Sequence, residues 1–170
     1  MKISILLPYK ENYSPEYPGA VSLFVHSTSK ISLYKNDITV FGNTNLTKRF
    51  SGKYINIYLK KNNLFKSQSK EYVKKFIELN SKAKSDIIEI HNRPNYVNLI
   101  KIINSKIVLY FHNDPISMIG SKKKQERENL LLTCEKIIFN SEWSKKRFIK
   151  NIDNIYHKSS KLEVIHQSIN

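Results

Sequence analysis

Cysteine is nearly absent from this 170-residue chain, and the one that occurs, Cys134, excludes an internal disulfide and a thiolate zinc cluster. Four glycines and five prolines exclude collagen-like and low-complexity chains. Apolar runs are short. The longest are pieces such as Ile107-Val108-Leu109-Tyr110-Phe111, against the roughly 20 residues of a membrane span. After Lys2 only Ile3-Ser4-Ile5-Leu6-Leu7 precedes Pro8, too little for a signal-peptide core. No G-x-G-x-x-G follows a strand and no G-x-x-x-x-G-K-[ST] occurs, which speaks against a dinucleotide enzyme and a P-loop NTPase. G-x-S-x-G, H-x-x-x-H and H-E-x-x-H are missing as well, so neither a nucleophile elbow nor a zinc motif is present. These absences lead to the expectation of a soluble, cytoplasmic domain without a metal.

Acidic residues are also scarce. Lys+Arg 29 against Asp+Glu 14 gives +15, a balance that points to polyanionic partners. Arginine, however, supplies only 4 of the 29 cations. Arginine is the residue of bidentate phosphate and base recognition, whereas lysine is a point charge. The lysine excess therefore fits loose attraction to a phosphate-bearing surface such as an anionic membrane face, with no specific nucleic acid. The same Lys, Ile and Asn abundance is also what an A/T-rich genome produces by codon drift.

At 40% hydrophobic and 11% aromatic the chain can bury a sizeable core. Its periodicity alternates apolar runs with amphipathic stretches. Strands are predicted over 2–7, 37–41, 54–59, 86–91, 106–112, 136–140 and 162–166, several of them near-continuous apolar runs of the kind buried on both faces of a parallel sheet. Helices are predicted over 20–34, with Val21, Phe24, Val25, Thr28 and Ile31 on one stripe, and over 70–84, with Tyr72, Val73, Phe76, Leu79, Asn80 and Ala83 inward. Further helices follow over 94–103, with proline in the first turn, over 121–134 and over 142–149, with Ser121 and Ser141 as N-caps. Segments 43–53 and 60–69 read as polar loops. The fold class is α/β: a Rossmann-like open parallel sheet of about seven strands flanked by helices, in a single domain.

In such sheets ligands sit outside the carboxyl ends of the strands. Three of the five histidines fall there: His91, His112 and His166. A strand-end histidine can instead merely hydrogen-bond a loop carbonyl. His112-Asn113-Asp114-Pro115 is the most informative piece. It sets an imidazole, an amide and a carboxylate together, a group that can bind several hydroxyls of a sugar or polyol. The alternative is an Asx turn made by Asn113 and Asp114. After the first strand, Tyr9 and then Gly19 lead to a helix start, where close backbone approach and the helix dipole favour an anion or a polar acceptor. Lys122-Lys123-Lys124, with Gln125 and Arg127, forms a cationic first turn, either a solvated face or a phosphate contact. Cys134, at the end of an apolar helix, reads as an inert core thiol.

Several pieces together resemble the N-terminal, acceptor-side domain of a family 4 glycosyltransferase with the GT-B fold. They are Lys2-Ile3-Ser4-Ile5-Leu6-Leu7-Pro8, Pro18-Gly19-Ala20-Val21, Tyr110-Phe111-His112-Asn113-Asp114, and Ile137-Ile138-Phe139-Asn140-Ser141-Glu142-Trp143-Ser144-Lys145-Lys146-Arg147-Phe148. The closing piece, Leu162-Glu163-Val164-Ile165-His166-Gln167-Ser168-Ile169-Asn170, is similar to the strand and turn that end that domain. The resemblance covers essentially residues 1–170. It implies retaining transfer of a sugar from a nucleotide-diphosphate donor, typically without a metal, to a glycan or lipid-linked acceptor such as lipopolysaccharide at the inner membrane face. It implies His112 near the transferred sugar as the catalytic residue, binding a hydroxyl or the reacting region, Gly19 by the donor phosphates or the acceptor, and a mainly structural Ser141. The family's double glycine stands here as Pro18-Gly19-Ala20, and the final turn lacks the family's proline and glycine. The family binds its donor mainly through a second, C-terminal domain. This chain alone is therefore expected to be inactive, needing that domain or a separate subunit. The competing expectation is a non-catalytic α/β module for nucleic acid or anionic surfaces.

Overall fold

The computed structural model describes residues 1–59, 67–153 and 159–167. Among the described residues one seven-stranded sheet runs in the spatial order Lys53–Asn56, Ile38–Gly42, Ile3–Leu6, Ile87–His91, Lys106–Phe111, Lys136–Phe139 and Leu162–Val164, the strand sequence of a Rossmann-like α/β fold. Contacts divide the chain into two compact units, Met1–Ile88 with Ile103–Ser105, and Glu89–Ile102 with Lys106–Asn170.

The first unit holds β1 (Ile3–Leu6), α1 (Ala20–Ile31), β2 (Ile38–Gly42), β3 (Lys53–Asn56) and α2 (Gln68–Ala83). β1, β2 and β3 pair in parallel, with Ile5 opposite Val40 and Val40 opposite Tyr54. Ile5, Leu7, Tyr13, Val21, Val25, Ile38 and Val40 form its core. α1 stops earlier than its periodicity predicts. Ser32 Oγ accepts the Tyr34 amide (3.1 Å), a local bond that competes with another helical turn, and Ile31 is left exposed. β3 ends at Asn56 rather than 59 because side chains replace the ladder. Asn43 Nδ2 donates to the Ile57 carbonyl (2.7 Å) and Asn56 Oδ1 accepts the Thr44 amide (3.0 Å). On α2, Tyr72, Val73, Phe76 and Asn80 are buried as the stripe predicts. Asn80 is accommodated there because its Oδ1 accepts from Ser4 Oγ (2.9 Å) and Ser85 Oγ (2.8 Å). Of the predicted loop 60–69, residues 60–66 lie outside the described residues.

β4 (Ile87–His91) crosses into the second unit, which continues with α3 (Pro94–Ile100), β5 (Lys106–Phe111), a 3₁₀ turn (Pro115–Ser117), α4 (Lys124–Thr133), β6 (Lys136–Phe139), α5 (Glu142–Ile149) and β7 (Leu162–Val164). β5, β6 and β7 are parallel, with Phe111 opposite Phe139 and Phe139 opposite Val164. Phe111, Phe139 and Phe148 interlock with ring centroids 5.3–5.7 Å apart. Ser121 is not the N-cap of α4. It is buried with its hydroxyl on the Pro115 carbonyl, and the helix starts at Lys124 with Glu126 accepting the Lys123 amide (2.9 Å). Arg127 leaves the predicted cationic patch for the interior. Its guanidinium donates to the carbonyls of Phe148, Ser121, Lys122 and Lys150. Cys134 is buried, and burial pushes its thiol up to about 12, as suits an inert core position. Among the described residues no helix is long and apolar enough to cross a membrane.

Candidate functional site

The ends of β4 and β5 each present a histidine: His91 is the last residue of β4, and His112 is the first beyond β5. Two asparagines hold His112 by its backbone. Asn92 Oδ1 accepts its amide (2.8 Å), and Asn140 Nδ2, just past β6, donates to its carbonyl (2.7 Å). Asn92 sits at φ 51°, a left-handed conformation that asparagine tolerates better than most residues. Asn140 is itself oriented by Ser144 Oγ (2.8 Å), while Ser141 caps α5 by accepting the Ser144 amide (3.2 Å). Side chains just past the ends of β4 and β6 thus fix the backbone of one histidine.

The ring is held as well. His112 Nε2 lies 2.8 Å from His91 Nδ1, and His91 Nε2 lies 2.6 Å from Glu89 Oε1. At the other end Gln167 Nε2 lies 2.5 Å from His112 Nδ1. Tyr110 stacks on His112 with centroids 4.4 Å apart and sends its hydroxyl to the Ile165 carbonyl (3.0 Å). Burial, and then the neighbouring His91, lower His112 to about 3. At neutral pH the ring is therefore uncharged. An uncharged imidazole can accept at one nitrogen and donate at the other.

The other predicted site residues are distributed unevenly. His91 is fully buried, with its Nδ1 against His112 Nε2. Asn113 is exposed beside it. Asp114 makes the Asx turn that the sequence left open, accepting the Ile116 amide (3.2 Å), and it pairs with Arg147 through two bonds of 3.2 and 2.8 Å. The Arg147 guanidinium holds its carboxyl below the usual range. His166 is exposed, and its neighbour Gln167 is the residue that reaches His112. His157 lies outside the described residues. His26 stacks on Phe50 (4.3 Å).

In the first unit, Tyr9 is half-buried, with its hydroxyl donating to Gln68 Oε1 (3.0 Å). Gly19 is the N-cap of α1. The acceptor at this helix start is the chain's own Glu11, whose Oε1 takes the Ser22 amide (3.1 Å). A Cβ on Gly19 would stand 1.8 Å from that oxygen, so the glycine is what admits the carboxylate. A phosphate reaching these amides has to displace Glu11.

Glu89, Asn92, Asn140 and Gln167 were not singled out from sequence. Glu89 and His91 share a strand face by their spacing of two, which is a legible signal. The asparagines and Gln167 carry none, because their meaning depends on which strands are neighbours. Among the described residues no group of His, Cys, Asp and Glu side chains is placed to hold a metal ion.

No protein-family model and no curated protein matches the chain. Solved structures do. Anabaena HepE in complex with UDP and glucose is 16% identical, with a TM-score of 0.65 over 100% of this chain and 45% of that one. A glycosyltransferase from Rickettsia africae is 18% identical, with a TM-score of 0.62 over 99% and 44%. A UDP-N-acetylglucosamine 2-epimerase from Rickettsia bellii is 12% identical, with a TM-score of 0.55 over 96% and 44%. The chain spans less than half the length of these proteins. At such identities the likeness shows the fold alone: a Rossmann-like α/β unit matching a little under half of each.

Proposed function

We propose that the chain is the acceptor-side half of a retaining GT-B glycosyltransferase that moves a sugar from a nucleotide-diphosphate donor to a glycan or lipid-linked acceptor. The observation that carries this reading is the uncharged His112, clamped through backbone and ring at the carboxyl end of β5, with exposed Asn113 beside it. A neutral imidazole with an amide neighbour suits sugar hydroxyls, which both donate and accept. The fold shared with HepE, whose structure contains UDP and glucose, supports the same class of donor. Asn113 and His166 contribute to hydroxyl binding in the second unit, and Tyr9 and Gly19 are substrate contacts of the first unit. His91 acts through His112, and Asp114 with Arg147 shapes the loop. Donor binding falls to a second domain or subunit, no metal takes part, and the lysine-rich surface rests on an anionic membrane face in the cytoplasm.

The test has two parts. Reading the native transcript past the codon for Asn170 finds a second α/β domain with paired acidic residues, or else a separate subunit supplies it. In that two-part enzyme His112→Ala lowers turnover about 100-fold, the scale on which positioned polar groups act. Undiminished turnover overturns the assignment of His112, and robust transfer by the 170-residue chain alone overturns the division of labour.

A further inference from the structure

The first unit carries a cleft of about 350 Å³ that the proposed function does not use. Its walls come from the second half of α1, the turn into β2 and the turn into β3, with Ile38 and Val40 as apolar lining. Ile38 and Lys53 open their strands, so the cleft lies toward the amino ends of β2 and β3, whereas Tyr9 and Gly19 follow the carboxyl end of β1. Its charge is of one sign. Among the described residues Lys30, Lys35 and Lys53 line it and no carboxylate does, and neither Lys30 nor Lys35 is paired with an acidic side chain. Asp37, next in sequence to the cleft, turns its carboxylate to the Met1 amino group (4.0 Å). Lys53 Nζ donates to the Asn36 carbonyl (2.5 Å), which leaves two of its three hydrogens to offer. The Ser29 hydroxyl is buried and has no hydrogen-bond partner among the described residues.

We propose that this cleft binds a sugar phosphate, with Lys30, Lys35 and Lys53 holding the phosphate and Ser29 meeting a hydroxyl of the sugar. Three ammonium groups with no carboxylate among them attract a compact dianion, and a phosphate monoester carries close to two negative charges at neutral pH. Lysine stems are long and flexible, so the three heads can close on one phosphate. A sugar hydroxyl both donates and accepts, which satisfies the buried Ser29 hydroxyl. The rings of the wall are already engaged: His26 stacks on Phe50 with centroids 4.3 Å apart, and Tyr13 on Tyr54 at 5.0 Å. The lining therefore offers ammonium, hydroxyl and amide groups ahead of a stacking platform for a base. Burial, and then Lys30, lower His26, so at neutral pH its ring adds a neutral polar group beside the lysines. The volume is at the small end of the roughly 300–1,000 Å³ of ligand clefts, which suits a phosphorylated monosaccharide. The site is independent of the glycosyltransferase reading.

The test is titration of glucose 6-phosphate into the ¹⁵N-labelled chain at pH 7, followed by amide NMR shifts in about 150 mM salt, where exposed charges are screened beyond about 8 Å. The expected result is saturable binding with a dissociation constant of about 1 mM or tighter, with shifts concentrated at Ser29, Lys30, Lys35, Asn36 and Gly52. Glucose alone leaves the spectrum unchanged, and inorganic phosphate binds at least about tenfold more weakly. Lys30→Gln and Lys35→Gln, both at exposed positions, each weaken the sugar phosphate roughly tenfold, as loss of a hydrogen bond to a charged group does. Lys122→Gln removes an exposed cation from the second unit and leaves binding unaltered. Absence of saturation overturns the proposal. So does equal binding of inorganic phosphate, or a loss as large in Lys122→Gln, either of which would mean general anion attraction only. Tighter binding of adenosine 5′-monophosphate overturns it too, by making the cleft a nucleotide site. Because these readouts involve no sugar transfer, failure of the glycosyltransferase reading and failure of this site are separately visible.

Discussion

A histidine whose folded value lies near 3 binds no proton over a range where the unfolded chain, with an ordinary value near 6.5, does. Stability attributable to His112 is therefore intact above about pH 6.5 and declines as pH falls toward 3. The loss by pH 5 is on the order of 1–2 kcal/mol, and His26, also lowered by burial, acts in the same direction. Urea denaturation at pH 7 and pH 5 measures it. His112→Gln removes the His112 share, so the gap between the two pH values narrows; an unchanged gap would show that the ring titrates normally in the fold. Gly19 offers a second test at this scale. Gly19→Ala pushes the Glu11 carboxylate off the start of α1 and costs about 1 kcal/mol, as loss of a cap does. Glu11→Ala costs a similar amount, and the double variant costs little more than either, because both remove one bond.

At the scale of elements, Arg127 is the most demanding contact of the second unit. It is buried, and its guanidinium satisfies carbonyls from α5, from the residues ahead of α4, and from Lys150 after α5. Arg127→Met keeps the stem but orphans those carbonyls, so a loss of roughly 3 kcal/mol is expected in thermal or urea unfolding. A loss below about 1 kcal/mol would mean that the carbonyls find other partners. This element was misread from sequence for a plain reason. A lysine-rich helix start looks uniformly solvated, and nothing local marks which cation turns inward. The ends of α1 and β3 were hidden similarly: Ser32, Asn43 and Asn56 trade regular backbone bonds for side-chain ones, a choice settled by their neighbours. α2 and α5 were legible because an apolar stripe and the Ser141 cap are written in adjacent residues.

At the scale of the whole molecule the net charge of +15 remains the dominant long-range feature. Lys124 is engaged by Glu128 and Asp153, whereas Lys122 and Lys123 stay exposed. Co-sedimentation with anionic vesicles should be strong in 20 mM salt and fall at least tenfold by 200 mM, as the Debye length shortens below about 10 Å. Binding insensitive to salt would remove electrostatics from the proposed membrane contact.

Fold class was determined by sequence alone, because hydrophobic periodicity and buried parallel strands are properties of short windows, and the seven predicted strands reappear among the described residues. Sequence also placed His91 and His112 at strand ends. What it could not supply is that β4 and β5 lie side by side with β6 beyond, since strand order depends on how distant segments pair. That pairing alone turns Asn92 and Asn140 into a clamp, buries His91 behind His112 and brings Gln167 across 55 residues to its ring. Chemistry was visible in the residue types; which group accepts, which supports and which is exposed was decided by tertiary contact.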